Sequence, residues 1–81
     1  MRKDRRMPRD PSALGEIGEA LRVARAASGM SQRELARRTA LNHKTISNIE
    51  TGKTDPSYSV LVQISRTLGV RLSTVVSSAE S

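Results

Sequence analysis

The stretch that decides the fold is residues 31–50, SQRELARRTALNHKTISNIE. Ser31 and Glu34 have the spacing of a capping box, which predicts a helix that begins here and ends near Arg38. Asn42 is a favoured N-cap residue and predicts the start of a second helix a few residues later, which Gly52 ends. Each of the two segments offers only a narrow apolar face: Leu35 and Ala36 on the first, and Ile46 and Ile49 on the second.

Two short helices joined by so few residues are typical of a helix-turn-helix, in which the second helix projects from the body. The outward face of this second helix is polar, and its members lie about one turn apart. A helix of this kind fits the major groove of DNA with its N-terminal residues at the base edges. The alternative is an ordinary solvated helix face. The polar residues on this face are His43, Lys44, Ser47 and Asn48.

Three further helices are predicted outside this stretch. The first covers 13–28, the fourth begins at a cap formed by Asp55 or Ser57 and ends at Gly69, and the fifth is short and capped by Ser73. Summed over the chain, their apolar faces predict a single small all-α core. These faces consist of Ile17, Leu21 and Ala24; Leu61, Ile64 and Leu68; and Leu72, Val75 and Val76.

The composition shift near the N-terminus divides the chain. Residues 1–12 carry five basic and two acidic residues with two prolines, which predicts a disordered basic arm. The helix-turn-helix domain is predicted over 13–76, and 77–81 is predicted to be a C-terminal tail. The arm has two functional readings, entry into the minor groove or contact along the phosphates, and one neutral reading as a solvated tail or linker.

The charge of the chain favours a nucleic-acid partner. Fourteen lysines and arginines against eight aspartates and glutamates give a formal net charge of +6 over 81 residues, although the same charge also serves solubility or attraction to other anionic surfaces. Tyr58 is the only aromatic residue, which argues against single-strand binding by base stacking.

The same composition weighs against other classes of protein. The chain has no cysteine and one histidine, His43, so we expect no metal site, no cofactor and no enzyme activity. No apolar run approaches the roughly 20 residues of a membrane helix. We therefore expect a cytoplasmic protein with no membrane partner and no small-molecule effector bound within this chain.

Residues 15–76 resemble the phage-repressor, or XRE-type, helix-turn-helix family. The resemblance implies a compact five-helix, lambda-repressor-like domain with the helix-turn-helix at helices 2 and 3. It also implies a transcriptional regulator, a repressor or autoregulator, that binds a palindromic operator in double-stranded DNA as a homodimer. Several pieces in the right order carry this resemblance: SQ-x-ELA at 31–36, TIS-x-IE-x-G at 45–52, PS at 56–57 and LGV at 68–70.

The resemblance also implies roles for individual residues. Gln32 matches a glutamine that bonds a DNA phosphate and braces the recognition helix. Arg25 and Glu50 match an ion pair between the first helix and the end of the third, although two independent surface charges are the alternative. The base-reading positions are His43, Lys44 and Asn48, with Ser47 close enough to help. The predicted phosphate contacts are Gln32, Arg33, Asn42, Thr51, Lys53 and Thr54.

One residue departs from the family pattern, and two questions stay open. The turn between the two helices carries Ala40 where glycine is usual, at a cost of about 1 kcal/mol if the backbone there is left-handed. Leu72, Val75 and Val76 are the candidates for a dimer surface, or else they close the core. The other functional readings are the DNA-binding part of a longer regulator and a protein-interaction adaptor.

Overall fold

The computed structural model describes residues 11–80, and within that range the chain forms helices joined by short turns, with no strand. The predicted all-α fold is confirmed. The part of the predicted arm at 1–10 lies outside the described residues, as does Ser81. The elements in chain order are α1 (Pro11–Ala27), α2 (Gln32–Thr39), α3 (His43–Glu50), α4 (Tyr58–Leu68) and α5 (Leu72–Glu80).

The first and last helices are longer than predicted. α1 begins at Pro11, inside the predicted arm, because proline is well suited to the first turn of a helix. α5 continues to Glu80, through most of the predicted tail, and Ala79 is 8% exposed there. The prediction of Ser73 as N-cap is wrong, since Ser73 lies inside α5.

Most of the predicted helix starts are confirmed. The hydroxyl of Ser31 accepts the amide of Glu34 at 3.0 Å, and the side chain of Asn42 accepts the amide of Lys44 at 2.7 Å. Of the two residues predicted to cap α4, it is Ser57 that does so, through the amide of Val60 at 3.2 Å. Side-chain acceptors of this type satisfy helix donors that have no partner within the helix.

The core lies where all five helices meet. Leu21, Leu35, Ile46 and Ile64 are each 1% exposed and come from α1, α2, α3 and α4 respectively. α5 contributes Val75, which is 3% exposed. Of the two roles left open for Val75 by the sequence, the structure shows closure of the core. α3 is therefore held on its buried side by packing mainly against α1 and α2.

Ala40 occupies a left-handed position in the turn between α2 and α3, with φ 59° and ψ 24°. This conformation costs a residue with a Cβ about 1 kcal/mol or more. The turn is fixed by hydrogen bonds: the Leu41 amide donates to the Ala36 carbonyl at 3.1 Å, and Gln63 Nε2 donates to the Thr39 carbonyl at 2.6 Å. The alanine is tolerated because neighbouring contacts determine the path of the backbone.

Candidate nucleic-acid interface

The outward face of α3 carries polar side chains that have no partner in the described part of the chain. His43 and Lys44 are exposed, and Ser47 and Asn48 are partly exposed. None of these four side chains makes a hydrogen bond or ion pair with residues 11–80. On the opposite side of the same helix, Ile46 and Ile49 are 1% and 3% exposed. The predicted base-reading residues therefore share one free face of a helix whose other face is packed.

A buried ion pair fixes the C-terminal end of α3. Arg25 Nε donates to Glu50 Oε2 at 2.7 Å, and Arg25 Nη2 donates to Glu50 Oε1 at 3.0 Å. The two side chains are 15% and 3% exposed. The pair that the sequence suggested is thus present in its partly buried, bidentate form, and the alternative of two independent surface charges is wrong.

The same carboxylate also binds α2. Gln32 Nε2 donates to Glu50 Oε1 at 2.9 Å, and Arg25 Nη1 donates to the Met30 carbonyl at 2.8 Å. The network joins α1, the loop before α2, the start of α2 and the end of α3. Gln32 braces the recognition helix in this way, and its amide keeps one N–H and its carbonyl oxygen for another partner.

Asn42 and the loop after α3 use much of their hydrogen-bonding capacity internally. The side-chain oxygen Oδ1 of Asn42 caps α3, and its NH₂ group remains as a donor. The amides of Lys53 and Thr54 donate to the Asn48 carbonyl at 2.8 and 3.4 Å. The Thr51 hydroxyl donates to the Ser47 carbonyl at 2.9 Å.

The amides of residues 51–54 all donate to carbonyls of α3. This arrangement tightens the end of α3 and occupies the backbone donors of residues 51–54. The exposed cation of the loop is Lys53.

The three arginines of α2 differ in whether they form an ion pair within the described residues. Arg37 and Arg38 donate to the Glu34 carboxylate at 2.6 and 2.7 Å. Their hydrogen bonds hold the pKa of Glu34 below its usual value. The Glu34 carboxylate binds these arginines, so the half of the capping box that forms is the bond from the Glu34 amide to the Ser31 hydroxyl. Arg33 is exposed and makes no ion pair within residues 11–80, so its whole charge is available at this surface.

Gly18 is a residue that the sequence reasoning missed. A Cβ on Gly18 would lie 2.8 Å from the Glu50 carbonyl oxygen and closer still to that of Ile49. α1 therefore packs directly on the backbone of the last turn of α3, beside the ion pair. A glycine inside an otherwise regular helical pattern is the signal that indicates such a close approach.

Neither a metal-binding cluster nor a membrane-spanning helix is found in the described residues. Among residues 11–80, no group of three or more histidine, cysteine, aspartate or glutamate side chains could hold a metal ion. In the same range, no helix is long and apolar enough to cross a membrane.

Comparison with known proteins gives a consistent picture. A family model described as helix-turn-helix matches residues 21–75. An uncharacterized HTH-type transcriptional regulator, y4dL of Sinorhizobium fredii, is 43% identical over 56 residues. That alignment covers 69% of this chain and 29% of the relative, so the chain spans less than a third of the length of the curated relative it matches.

Solved structures show the same architecture. The clp gene regulator ClgR of Corynebacterium glutamicum superposes with a TM-score of 0.82 at 29% identity, over 84% of this chain and 72% of that one. The restriction-modification controller protein C.AhdI of Aeromonas hydrophila superposes with a TM-score of 0.74 at 26% identity, over 76% of this chain and 94% of that one.

Proposed function

The chain belongs to the XRE-type helix-turn-helix family, and from that premise we propose that it is a sequence-specific, double-stranded DNA-binding transcriptional regulator. In this proposal it acts in the cytoplasm as a repressor or autoregulator and binds a palindromic operator as a homodimer. The observation that carries the proposal is the outward face of α3, where four polar side chains have no partner among residues 11–80 while the other face of the helix is buried.

The proposed base contacts follow from the chemistry of these four side chains. Asn48 is suited to bidentate bonding with adenine, and Lys44 to donation to guanine O6 and N7. A good bidentate contact discriminates between bases by about 1–3 kcal/mol. His43 can donate to a base or to a phosphate, and the Ser47 hydroxyl can bond either a donor or an acceptor on a base edge.

The proposed phosphate contacts lie on both sides of that face. Gln32 keeps a free N–H beside its bond to Glu50, and Asn42 keeps its NH₂ group. Arg33 and Lys53 contribute positive charge from α2 and from the loop after α3. Thr51 and Thr54 are exposed in the same loop, where the hydroxyl of Thr54 is the better donor because that of Thr51 is already bonded to a carbonyl.

Dimerisation follows from the size of a single reading unit. One helix-turn-helix reads only part of a helical turn of DNA, and specific sites are commonly built from two half-sites about 34 Å apart. Two related copies then require a two-fold symmetric operator. The solved relatives support a regulatory role, since one is described as a gene regulator and the other as a controller protein.

A second candidate is the DNA-binding module of a longer regulator. The length of the curated relative favours it, because this chain matches only 29% of that protein. Both candidates use the same face of α3 to read DNA. They differ in whether an additional domain controls the binding.

Selection from a pool of random duplex DNA at about 0.15 M salt, a physiological ionic strength, tests the proposal. We expect the wild-type chain to enrich a palindromic motif. Uniform enrichment of all sequences, with binding that is lost on modest addition of salt, would contradict sequence-specific reading and favour an adaptor that uses the same fold without reading DNA.

A further inference from the structure

The outward surface of α4 carries a groove between two rows of side chains. Each row follows the spacing i, i+4, i+8, so the groove is of the type that runs between adjacent i±4 ridges on a helix. Tyr58, the only aromatic residue of the chain, is 74% exposed at one end of this groove. The first row is Tyr58, Val62 and Arg66, and the second is Ser59, Gln63 and Thr67.

The two rows have different shapes. The first is a ridge of an aromatic, a β-branched and a guanidinium side chain. Tyrosine and arginine are the residue types enriched at the energetic centres of protein interfaces. The second row is low, because two of its members are small and the amide of Gln63 is held by the Thr39 carbonyl at 2.6 Å. A groove beside a ridge of this kind receives the equivalent ridge of another helix, the commonest packing class in globular proteins.

We infer that the occupant of this groove is α4 of a second copy of the chain, in an antiparallel arrangement. Val62 stands midway between Tyr58 and Arg66, about 6 Å along the helix axis from each. A two-fold axis at Val62 therefore places Tyr58 of each copy beside Arg66 of the other. A guanidinium over a tyrosine ring is attracted by the ring face, so the surface is complementary to itself, as a two-fold interface requires.

Charge selects this orientation over the parallel one. Parallel pairing would place Arg66 against Arg66 in a chain whose net charge is already +6. The antiparallel pairing separates the two guanidinium groups by about 12 Å along the axis. The pairing also differs from the surface that the sequence suggested on α5, where Val75 is 3% exposed and unavailable for a dimer contact.

The biological role of this interface rests on the proposed function. The interface deepens that function because it is the surface that joins two DNA-reading chains. The contact is a single helix pair, which is smaller than the roughly 800 Å² per partner of a standard interface. The dimer is therefore weak, with a concentration-dependent equilibrium between one and two copies. Its association can be measured without DNA, so it is tested independently of DNA reading.

Sedimentation equilibrium without DNA, over a range of concentrations that spans the association, gives the test. Val62→Arg places two like charges together at the two-fold axis, and Val62→Glu does the same with the opposite sign. We expect each variant alone to be monomeric and an equimolar mixture of the two to recover the dimer. Tyr58→Ala, at an exposed site that the fold does not need, is expected to weaken dimerisation about tenfold or more.

The controls use valines on the two terminal helices, α1 and α5. Val23→Arg, at a site on α1 that is 51% exposed, is expected to leave the dimer intact. Val76→Arg, at a site on α5 that is 37% exposed, tests the competing surface. The inference is overturned if the wild-type chain stays monomeric, if the Val62 and Tyr58 variants dimerise as wild type does, or if Val76→Arg alone abolishes the dimer. Helical circular dichroism checks that each variant is folded. If a Val62 variant does not fold, the effect of Tyr58→Ala on dimerisation is the deciding result.

Discussion

Removing the carboxylate of Glu50 is expected to destabilise the fold severely. Glu50→Leu leaves the Arg25 guanidinium, 15% exposed, without the bidentate partner that it binds at 2.7 and 3.0 Å. It also removes the acceptor of Gln32 Nε2. Breaking a buried ion pair by removing one partner costs about 3–5 kcal/mol, because the remaining charge stays buried without compensation.

That loss is a large share of the total stability. A chain of 81 residues has a free energy of unfolding of about 4–12 kcal/mol, at roughly 0.05–0.15 kcal/mol per residue. Glu50→Leu is therefore expected to remove between a quarter and all of it. Because the pair lies at the end of α3, partial loss of the fold is also expected to loosen the recognition helix.

The double variant Arg25→Met, Glu50→Leu separates charge burial from simple loss of contacts. Replacing both members of a buried pair by apolar residues is often neutral or stabilising, and the orphaned Gln32 amide costs about 1–3 kcal/mol only if it stays buried without a partner. We therefore expect the double variant to be more stable than either single variant.

Urea unfolding followed by helical circular dichroism is the assay, since the chain has no tryptophan. The control is Glu19→Ala on α1, which removes the Arg22–Glu19 pair, whose members are 47% and 58% exposed; it should unfold close to wild type. If the effects of the two single substitutions simply add in the double variant, the buried pair has no coupling energy and the reasoning is refuted.

Three further predictions concern single residues. Gly18→Ala should destabilise the fold by about 1–3 kcal/mol because the added Cβ meets the backbone of α3. Gly15→Ala should instead raise the free energy of unfolding, since a Cβ added there has nothing within 4 Å. Equal effects of the two substitutions on stability would contradict the close approach of α1 to α3. Ala40→Gly should raise the free energy of unfolding by about 1 kcal/mol because it relieves the left-handed alanine, and a lower midpoint in urea would argue against strain there. The pKa of Glu34 is lowered in the folded chain by hydrogen bonds from two arginines. The contribution of Glu34 to stability is therefore present above its unfolded pKa and lost as the pH falls through its folded pKa. Wild type should lose more stability than Glu34→Gln between about pH 7 and pH 3. If the free energies of unfolding of wild type and Glu34→Gln change with pH in parallel, this contribution is excluded.

Local signals made much of the fold predictable. A side chain that caps a helix acts within three residues of itself, so Ser31 and Asn42 could be placed from sequence. The polar face of α3 followed from helical spacing. The position where the family has glycine marked residue 40 as the place to check for a left-handed backbone, and the structure shows one there. These features depend on neighbours in the chain or on a familiar motif.

Features that depend on contacts between distant segments were harder to predict. Gly18 matters because α1 crosses the backbone of α3, and a lone glycine does not say which helix it meets. Glu34 had several possible partners within one turn, and only the side-chain geometry shows that arginines bind it. Val75 is apolar at a helical position that fits either a core or a dimer surface, and packing decides between them.

The central claim is that the exposed face of α3 reads DNA bases while its surroundings bind phosphate. Its most direct test is the affinity of Asn48→Ala and Lys53→Ala for the selected operator and for every single-base-pair variant of it. We predict that Asn48→Ala loses about 1–3 kcal/mol of discrimination at one base pair and keeps it elsewhere. Lys53→Ala is predicted to weaken all sequences alike and to reduce the salt slope by about 0.9. If Asn48→Ala instead weakens every sequence equally and leaves discrimination unchanged, α3 does not read the bases through this residue and the claim is contradicted.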